Sequence, residues 1–394
     1  MSDAGNPLEH TPLIGHGSVL GQREQTLLED LCRKDREHAD GIPGDAPLDP
    51  YRRRRVELTL EEMWAQPNVL AKTLETDANA VTEIARTLVN GQLHRLYIVG
   101  CGDSLSIAIA AQPLLERLLG IPCEALEALE YVDYLYRSTD RRTAVLGISS
   151  SGTTPRTVEA LLRARSRDAR TIGVSNSPDS PLLREAHYGL CVPATRKGWP
   201  TQATTAAMAM LFRLGIEAGR VRGVGTLHIE RELAGVPSMM DVALRRLDDS
   251  MAQLASALVT KPLQLFSGGG QSWGTALIGA AKVRECTVKH ALAIHVEEYH
   301  HYNSQKAGDP LFLVAPQGPS LFRAIDTARV GRGWKGLVYV LAGSHEHRFD
   351  GIADHVFAMP AISEELSPLV YVIPLQLFAY HLSMAEFSMA ASSA

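Results

Sequence analysis

Short apolar runs alternate with longer amphipathic stretches along most of this chain. Two of these runs, residues 96–100 and 263–266, lead into glycine-rich turns followed by helix-like patterns. Short apolar runs that end at glycine are typical of buried strands, and their alternation with helices is typical of α/β proteins. The pattern therefore predicts an α/β fold with mostly parallel sheets.

The same series of apolar runs occurs twice. Ser104 and Ser272, which follow the two glycine turns, lie 168 residues apart. The same shift superimposes three further candidate strands: 145–146 on 313–314, 172–174 on 340–342, and the runs that open at His187 and His355. One shift that aligns four candidate strands indicates a duplication. We expect two doubly wound units, each a mostly parallel sheet flanked by helices.

The repeat also suggests domain boundaries. We place an N-terminal extension at 1–58, the first unit at 59–225, a linking helical segment at 226–255 and the second unit at 256–394. The extension is rich in glycine, proline and charge, and it ends in four arginines at 52–55. An arginine run of this kind is typical of a solvated linker or a subunit contact, and anion recognition is the less favoured alternative. A helix is expected to begin near Thr59, where a capping pattern opens an apolar-periodic stretch.

A hydroxyl-rich loop, Ser149–Thr154, follows the second strand of the first unit and precedes a helical pattern. Such a turn presents hydroxyls and free backbone N–H groups at the positive end of a helix, where anions bind. Because the loop has no charged side chain, it favours a phosphate ester over a carboxylate. The corresponding loop of the second unit, Pro316–Ser320, has Ser320 as its single hydroxyl residue, so one phosphate site per chain is expected. An ordinary serine-rich loop that caps a helix is the alternative.

Composition narrows the class of protein. The 394 residues are 45% hydrophobic and carry a net charge of −5, which fits a soluble enzyme and argues against a nucleic-acid partner. No stretch looks long and apolar enough to span a membrane, and the first residues lack the pattern of a signal peptide. The five cysteines are scattered, as expected for reduced thiols. We expect a cytoplasmic protein with neither a membrane nor a nucleic acid as partner.

Five short motifs occur in a specific order: Cys101–Ser104, Gly120–Cys123, Ser149–Thr154, Gly279–Glu285 and Pro374–His381. In these motifs the chain resembles the tandem sugar isomerase (SIS) domain family, and in particular the isomerase half of glutamine–fructose-6-phosphate amidotransferase. The resemblance runs from about Glu61 to about Ala385 and does not include the glutaminase domain.

The resemblance implies roles for named residues. The phosphate of a sugar would be held by five hydroxyl side chains: Ser104, Ser149, Ser150, Ser151 and Thr154. Glu285 would move a proton between C1 and C2, with Lys282 nearby. His301 falls at the ring-opening histidine, which in this family comes from the neighbouring subunit, so a homodimer with a shared active site is implied. The family uses neither a metal nor an organic cofactor for the isomerisation.

The chemistry of an enediol isomerisation fits these residue types. It needs a base near C2 and a fixed phosphate, and a carboxylate can serve as the base if burial raises its pKa. Lys282 and Glu285 are three residues apart and share a helix face, although such a pair is often only a surface ion pair. A metal site built from the nearby histidines is not favoured, because steps of five residues rotate about 140° on a helix. That histidine group is His290, His295, His300 and His301.

The sequence departs from the family pattern at three places. The segment 385–394 has no lysine where the amidotransferase tail carries one, the residues after His301 are Tyr302 and Asn303 instead of Gly-Pro, and the loop at 197–205 differs. In and beside this loop, four side chains either contact the substrate or lie exposed: Arg196, Lys197, Trp199 and Gln202. Amidotransfer is therefore not expected.

We expect an enzyme that isomerises a hexose phosphate or amino-sugar phosphate, with or without deamination. A fructosamine-6-phosphate deglycase and a non-catalytic sugar-phosphate sensor are the alternatives. The departures at His301 and in the loop at 197–205 leave the choice among these reactions open.

Overall fold

Two five-stranded sheets form the framework of the computed structural model, which describes residues 19–40, 46 and 48–393. The strands of the first sheet are β1 (Arg95–Gly100), β2 (Cys123–Glu127), β3 (Thr143–Ile148), β4 (Arg170–Ser175) and β5 (Tyr188–Cys191). Those of the second are β6 (Leu263–Gly268), β7 (His290–His295), β8 (Pro310–Ala315), β9 (Leu337–Gly343) and β10 (His355–Met359). Every strand pair is parallel.

Helices cover both faces of each sheet. In chain order they are α1 (Gln22–Asp40), α2 (Pro50–Glu75), α3 (Ala78–Asn90), α4 (Asp103–Leu119), α5 (Pro155–Arg165), α6 (Pro181–Glu185), α7 (Gln202–Val221), α8 (Leu227–Leu258), α9 (Gln271–Cys286), α10 (Leu321–Gly333) and α11 (Pro368–Ser393). The largest group of buried apolar side chains lies between the two sheets, where α4, α7, α9 and α11 pack together.

The duplication predicted from the sequence is confirmed. The first sheet has the order β2-β1-β3-β4-β5 and the second has the equivalent order β10-β9-β8-β6-β7, read from the opposite edge. The turns that follow β1 and β6 also match, because Gly102 and Gly270 adopt the left-handed φ angles of 56° and 55°. Glycine adopts this conformation without the steric penalty that a side chain imposes. The fold is therefore two doubly wound α/β units.

The two units meet where α4 packs against α9. A Cβ atom at Gly274 of α9 would lie 2.5 Å from the backbone oxygen of Ser106 and 2.8 Å from Cβ of Ala110, so the helices approach too closely for a side chain. This contact brings the first residue of α4, Asp103, next to Lys282 of α9. The close packing of α4 against α9 thus brings charged side chains from the two units into contact.

The expectation that a helix begins near Thr59 is wrong. Helix α2 begins at Pro50, because the carboxylate of Asp49 caps it by accepting hydrogen bonds from the backbone N–H groups of Tyr51 (2.8 Å) and Arg52 (3.4 Å). Proline is favourable at the first helical position, where its missing N–H group has no partner to lose.

The arginine run is therefore helical and is not a linker. Arg52 is buried and pairs with Glu386 at 3.0 Å. Residues 1–18 of the expected extension lie outside the described residues, and the domain boundaries given above stay predictions.

The expectation that no stretch is long and apolar enough to span a membrane is wrong for helix α11. Residues Pro368–Ser392 meet that description by length and composition. However, 78% of the apolar window of this helix is buried inside the protein, where it packs against α8, α9 and α2. A helix that is apolar on all sides and covered by other helices is typical of a protein core.

Candidate functional site

A cavity of about 200 Å³, here called the inner cavity, lies at the carboxyl ends of β1, β3 and β4. This edge of a parallel sheet is where α/β proteins usually bind ligands. All five hydroxyl side chains assigned to the phosphate line the inner cavity: Ser104, Ser149, Ser150, Ser151 and Thr154. Glu285, from the second unit, lines it as well. The structure therefore brings the predicted phosphate loop and the predicted proton carrier together.

The hydroxyl-rich loop folds tightly on itself. Ser149 Oγ lies 2.8 Å from Thr154 Oγ1 and accepts a hydrogen bond from the backbone N–H of Gly152 at 3.0 Å. Gly152 has a left-handed φ of 66°, and a Cβ atom there would lie 2.1 Å from Ser180 Oγ, so only glycine fits. Ser150 Oγ donates to Asn176 Oδ1 at 2.5 Å. Asn176, which sequence reasoning missed, thus orients the loop from β4.

Helix α5 starts directly after this loop, with Pro155 at its first position. Thr154 precedes the helix without accepting a capping hydrogen bond on its side chain. The first N–H groups of a helix have no partner within the helix, and they carry partial positive charge. The loop therefore combines hydroxyl groups with backbone donors, the arrangement that a phosphate ester needs.

A buried lysine links the two units at the inner cavity. Lys282 is completely buried, and its Nζ lies 2.8 Å from Asp103 Oδ2 and donates to Glu285 Oε2. Thr204 donates a further hydrogen bond to Asp103 at 2.9 Å. Burial by itself would lower the pKa of Lys282, but the two carboxylates outweigh it and raise that pKa, so the ammonium is kept. Because Lys282 is completely buried, its contact with Glu285 is not a surface ion pair.

The carboxyl group of Glu285 is less acidic than an ordinary glutamate. Burial raises the pKa of Glu285 and the neighbouring Asp103 raises it further, whereas Lys282 and Arg196 act in the opposite direction. A carboxyl group with a raised pKa can both accept and return a proton nearer neutral pH. A raised pKa of Glu285 is compatible with a role in proton transfer.

Asp103 is the residue of this group for which sequence reasoning found no role. It stands inside the quoted motif Cys101–Ser104 as the first residue of α4. An acidic residue is common at the start of a helix, where it interacts favourably with the helix dipole, so the sequence did not indicate a further role for Asp103. Its ion pair with Lys282 depends on the packing of α4 against α9.

His301 does not join the inner cavity. Its side chain is 58% exposed, and Nε2 lies 3.6 Å from Glu297 Oε1. The neighbouring His300 instead contacts Thr327 Oγ1 at 2.9 Å. Within the part of the chain that the structure describes, no group of three or more His, Cys, Asp or Glu side chains is arranged to hold a metal ion. The role of His301 stays a prediction that needs a second copy of the chain.

The loop at 195–202 is held by α2. Four groups donate hydrogen bonds to the buried carboxylate of Glu62: Thr195 Oγ1 (2.6 Å), Lys197 N (2.9 Å), Gly198 N (3.1 Å) and Gln202 Nε2 (2.9 Å). Gln202 therefore faces Glu62. Trp199 lies 3.5 Å from the guanidinium of Arg55. Of the four side chains left open by the sequence, only Arg196 lines the inner cavity.

A carboxylate occupies the corresponding place in the second unit. Ser320, which precedes α10, donates to Glu364 Oε1 at 3.4 Å. A Cβ atom at Gly318 would lie 2.1 Å from Glu364 Oε2, and one at Gly270 would lie 3.4 Å from Oε1. Glu364 thus lies between the glycine turn after β6 and the loop after β8. Its presence there fits a single phosphate site per chain.

Comparison with known protein families identifies the class of protein to which this fold and site belong. A family model described as "SIS domain" matches residues 92–214 and 262–385, which is more than half of the chain. Each matched range contains one of the two sheets. This chain belongs to the SIS domain family.

Among individual relatives, the chain is similar to glutamine–fructose-6-phosphate aminotransferase (isomerizing). It is 27% identical to the Pyrococcus horikoshii protein over 335 residues, which cover 83% of this chain and 54% of that protein. It is 30% identical to a Thermus thermophilus protein over 336 residues, which cover 82% of this chain and 55% of that protein. The chain thus spans about half the length of the curated relatives it matches.

Solved structures show the same fold. The C-terminal domain of glucosamine-fructose-6-phosphate aminotransferase from Francisella tularensis superimposes with a TM-score of 0.74 at 22% identity, covering 83% of this chain and 96% of that one. A glucosamine-6-phosphate deaminase from Thermotoga maritima superimposes with a TM-score of 0.62 at 20% identity, covering 83% and 94%. These similarities concern the fold.

Proposed function

We propose that this protein is an enzyme that binds a hexose phosphate or an amino-sugar phosphate and transfers a proton between C1 and C2. One observation carries the proposal: the Glu285 carboxyl group of the second unit lines the same cavity as the hydroxyl-rich loop of the first. The curated relatives are named for their action on fructose 6-phosphate, which supports a hexose phosphate as the class of substrate.

The phosphate group would bind at the start of α5. The hydroxyl groups of Ser104, Ser149, Ser150, Ser151 and Thr154 and backbone N–H groups at the start of the helix would donate to its oxygen atoms. A phosphate fixed in this way holds the sugar in one register against the catalytic group. Binding energy from the far end of the substrate thus supports the reaction at C1 and C2.

Glu285 would carry the proton. As a carboxylate it removes a proton from the carbon next to the carbonyl group, the electrons of that C–H bond form the C1=C2 bond of an enediol, and the carbonyl oxygen takes up a proton from water. Glu285 then returns its proton to the other carbon, while the hydroxyl group on the first carbon gives up its proton to water and becomes the new carbonyl group, which interconverts ketose and aldose. Lys282, held as an ammonium between Asp103 and Glu285, would keep the Glu285 carboxyl group in place.

A second copy of the chain would complete the site. His301 lies exposed and outside the inner cavity of its own chain, so it is free to reach the cavity of a partner. A neutral imidazole is a suitable proton acceptor and donor for opening a sugar ring near neutral pH. We therefore propose a homodimer with a shared active site, in the cytoplasm.

Incubation with three sugar phosphates in D₂O tests the proposal. Fructose 6-phosphate, glucose 6-phosphate and glucosamine 6-phosphate would each be followed by proton NMR, with ammonia assayed in parallel. We expect loss of the proton signal at C1 or C2 together with formation of the isomeric sugar. Ammonia released from glucosamine 6-phosphate would identify a deaminating isomerase. Sugar phosphate that binds without any exchange or turnover would contradict the proposal and indicate a sensor.

A further inference from the structure

One positively charged side chain lies among the hydroxyl groups of the inner cavity. Of the described residues that line this cavity, Arg196 is the one that carries a positive charge. The lining also contains the carboxyl groups of Asp103 and Glu285, which share the buried Lys282 between them. Because the two carboxyl groups outnumber this lysine, a phosphate in the cavity would meet no net positive charge without Arg196.

The side chain of Arg196 has no partner within the described part of the chain. It is exposed, and it forms neither a hydrogen bond nor an ion pair there. An arginine side chain presents five N–H donors in a planar fork that matches the oxygen atoms of a phosphate. These donors are therefore available to a ligand in the inner cavity.

The backbone at Arg196 is held in place by its neighbours. Thr195 Oγ1 and the backbone N–H of Lys197 donate to the carboxylate of Glu62 at 2.6 Å and 2.9 Å. Since Glu62 is buried, the segment is anchored to α2 on both sides of Arg196. A side chain on a fixed backbone loses less freedom when it binds a ligand than one on a mobile loop.

The internal repeat provides a second view of this position. The shift of 168 residues that superimposes the strands pairs Arg196 with Glu364. The same shift pairs Pro200, two residues before α7, with Pro368, the first residue of α11. The two units therefore carry side chains of opposite charge at the same place in the fold.

In the second unit the side chain at this place lies against the loop that corresponds to the hydroxyl-rich loop. Ser320 donates to Glu364 Oε1 at 3.4 Å, and a Cβ atom at Gly318 would lie 2.1 Å from Glu364 Oε2. In the first unit, Arg196 lines the inner cavity together with Ser150 and Ser151 of the hydroxyl-rich loop. Both units thus bring this position to the loop that precedes a helix, with an anion in the second unit and a cation in the first.

We propose that Arg196 is a phosphate-binding residue, whose guanidinium group donates hydrogen bonds to the phosphate oxygen atoms of the substrate in the inner cavity. This inference rests on the proposed function, because it presumes that a sugar phosphate occupies that cavity. It adds a charged group to a site whose other assigned donors are hydroxyl and backbone N–H groups. A charge-assisted hydrogen bond of this kind is stronger than one from a neutral donor.

Calorimetric titration of the full chain and of Arg196→Gln tests this inference. Fructose 6-phosphate is the first probe, and inorganic phosphate, measured by competition, is the second. We expect Arg196→Gln to weaken both ligands roughly tenfold, the loss expected for one charge-assisted hydrogen bond. Because Arg196 is exposed and has no partner among the described residues, its replacement is not expected to affect folding.

Two further variants separate the contact from the charge. Arg196→Lys keeps the positive charge but loses the planar fork, so it should recover only part of the affinity. Lys197→Gln is the matched control, since Lys197 is the adjacent residue, has the same charge and is also exposed. Lys197 lines a larger cavity of about 1080 Å³ that adjoins the inner cavity, and it does not line the inner cavity itself. Lys197→Gln should leave both affinities unchanged.

An unchanged affinity in Arg196→Gln, or an equal loss in Lys197→Gln, would overturn the inference. A loss for fructose 6-phosphate without a loss for inorganic phosphate would also overturn it, because the arginine would then contact the sugar. In these cases deuterium exchange by the unmodified protein would still support the proposed function. Binding that depends on Arg196 in a protein without exchange or turnover would contradict the proposed enzyme and support this inference. If no phosphate ligand binds at all, both fail.

Discussion

Ser149 and Thr154 form the closest pair of hydroxyl groups in the inner cavity, with their oxygen atoms 2.8 Å apart. Replacing both, Ser149→Ala with Thr154→Ala, should weaken binding of fructose 6-phosphate, because each hydrogen bond to a charged phosphate contributes about 1.5–3 kcal/mol. Binding of unphosphorylated fructose should stay unchanged. NMR titration of both sugars measures the two affinities.

A matched control is Ser166→Ala at the other end of α5, where the hydroxyl donates to the backbone oxygen of Arg163. This change should leave both affinities as they are. Equal losses for fructose and fructose 6-phosphate in the double variant would show that the loop does not hold the phosphate.

Lys282 is the buried cation that pairs with two partly buried carboxylates. Lys282→Met would leave Asp103 and Glu285 close together without a positive charge, and removing one partner from a buried charge cluster costs about 3–5 kcal/mol. The free energy of unfolding in urea should fall by that amount. Lys197→Met, at an exposed position, should change it by less than about 0.5 kcal/mol. A loss for Lys282→Met as small as that of the control would mean that the cluster is not held by this lysine.

At the scale of elements, α2 fixes the loop that carries Arg196. Glu62→Ala removes the acceptor of four hydrogen bonds in the segment 195–202, so this segment should become mobile. Trypsin should then cleave after Arg196 or Lys197 several-fold faster than in the unmodified protein, as mass spectrometry of the fragments would show. Its neighbour provides the control: Glu61 is 62% exposed, and Glu61→Ala should leave the cleavage rate unchanged. An unchanged rate in Glu62→Ala would contradict the role given to α2.

The strands could be predicted from the sequence, whereas one important helix could not. Strands such as β3 and β8 are buried along their whole length, so they occur as uninterrupted apolar runs. The start of α2 was hidden because its first turns contain four arginines. Arg52 is buried there because Glu386, 334 residues further along the chain, supplies the opposite charge. A local pattern carries no information about such a partner.

At the scale of the whole molecule, the contact between α4 and α9 holds the two units in register. Gly274→Val would place side-chain atoms against the backbone of Ser106, which would separate the helices and move Lys282 away from Asp103. We expect a lower thermal unfolding temperature together with loss of turnover. Gly235→Val on α8 is the control, because a Cβ there would contact only the flexible end of Met239 at 3.8 Å. Full stability and turnover in Gly274→Val would show that the register of the units does not depend on this contact.

The candidate site, like the fold, could be predicted only in part from the sequence. The five hydroxyl residues assigned to the phosphate and Glu285 stood in recognisable motifs, and the structure places all six at the inner cavity. Arg55 acquires its position when α2 meets the loop that carries Trp199, and Asp103 acquires its position when α4 packs against α9, so their contacts were not visible in the sequence. Glu364 reaches the loop after β8 from a segment 44 residues beyond Ser320, which no pattern indicated.

The central claim is that Glu285 moves a proton between C1 and C2 of a sugar phosphate bound in the inner cavity. The most direct measurement is deuterium incorporation from D₂O into fructose 6-phosphate, followed by proton NMR for the unmodified protein and for Glu285→Gln, with the affinity of each for the sugar measured in parallel. We expect exchange in the unmodified protein and its loss in the variant, with binding retained. Exchange at the same rate in both proteins would contradict the assignment.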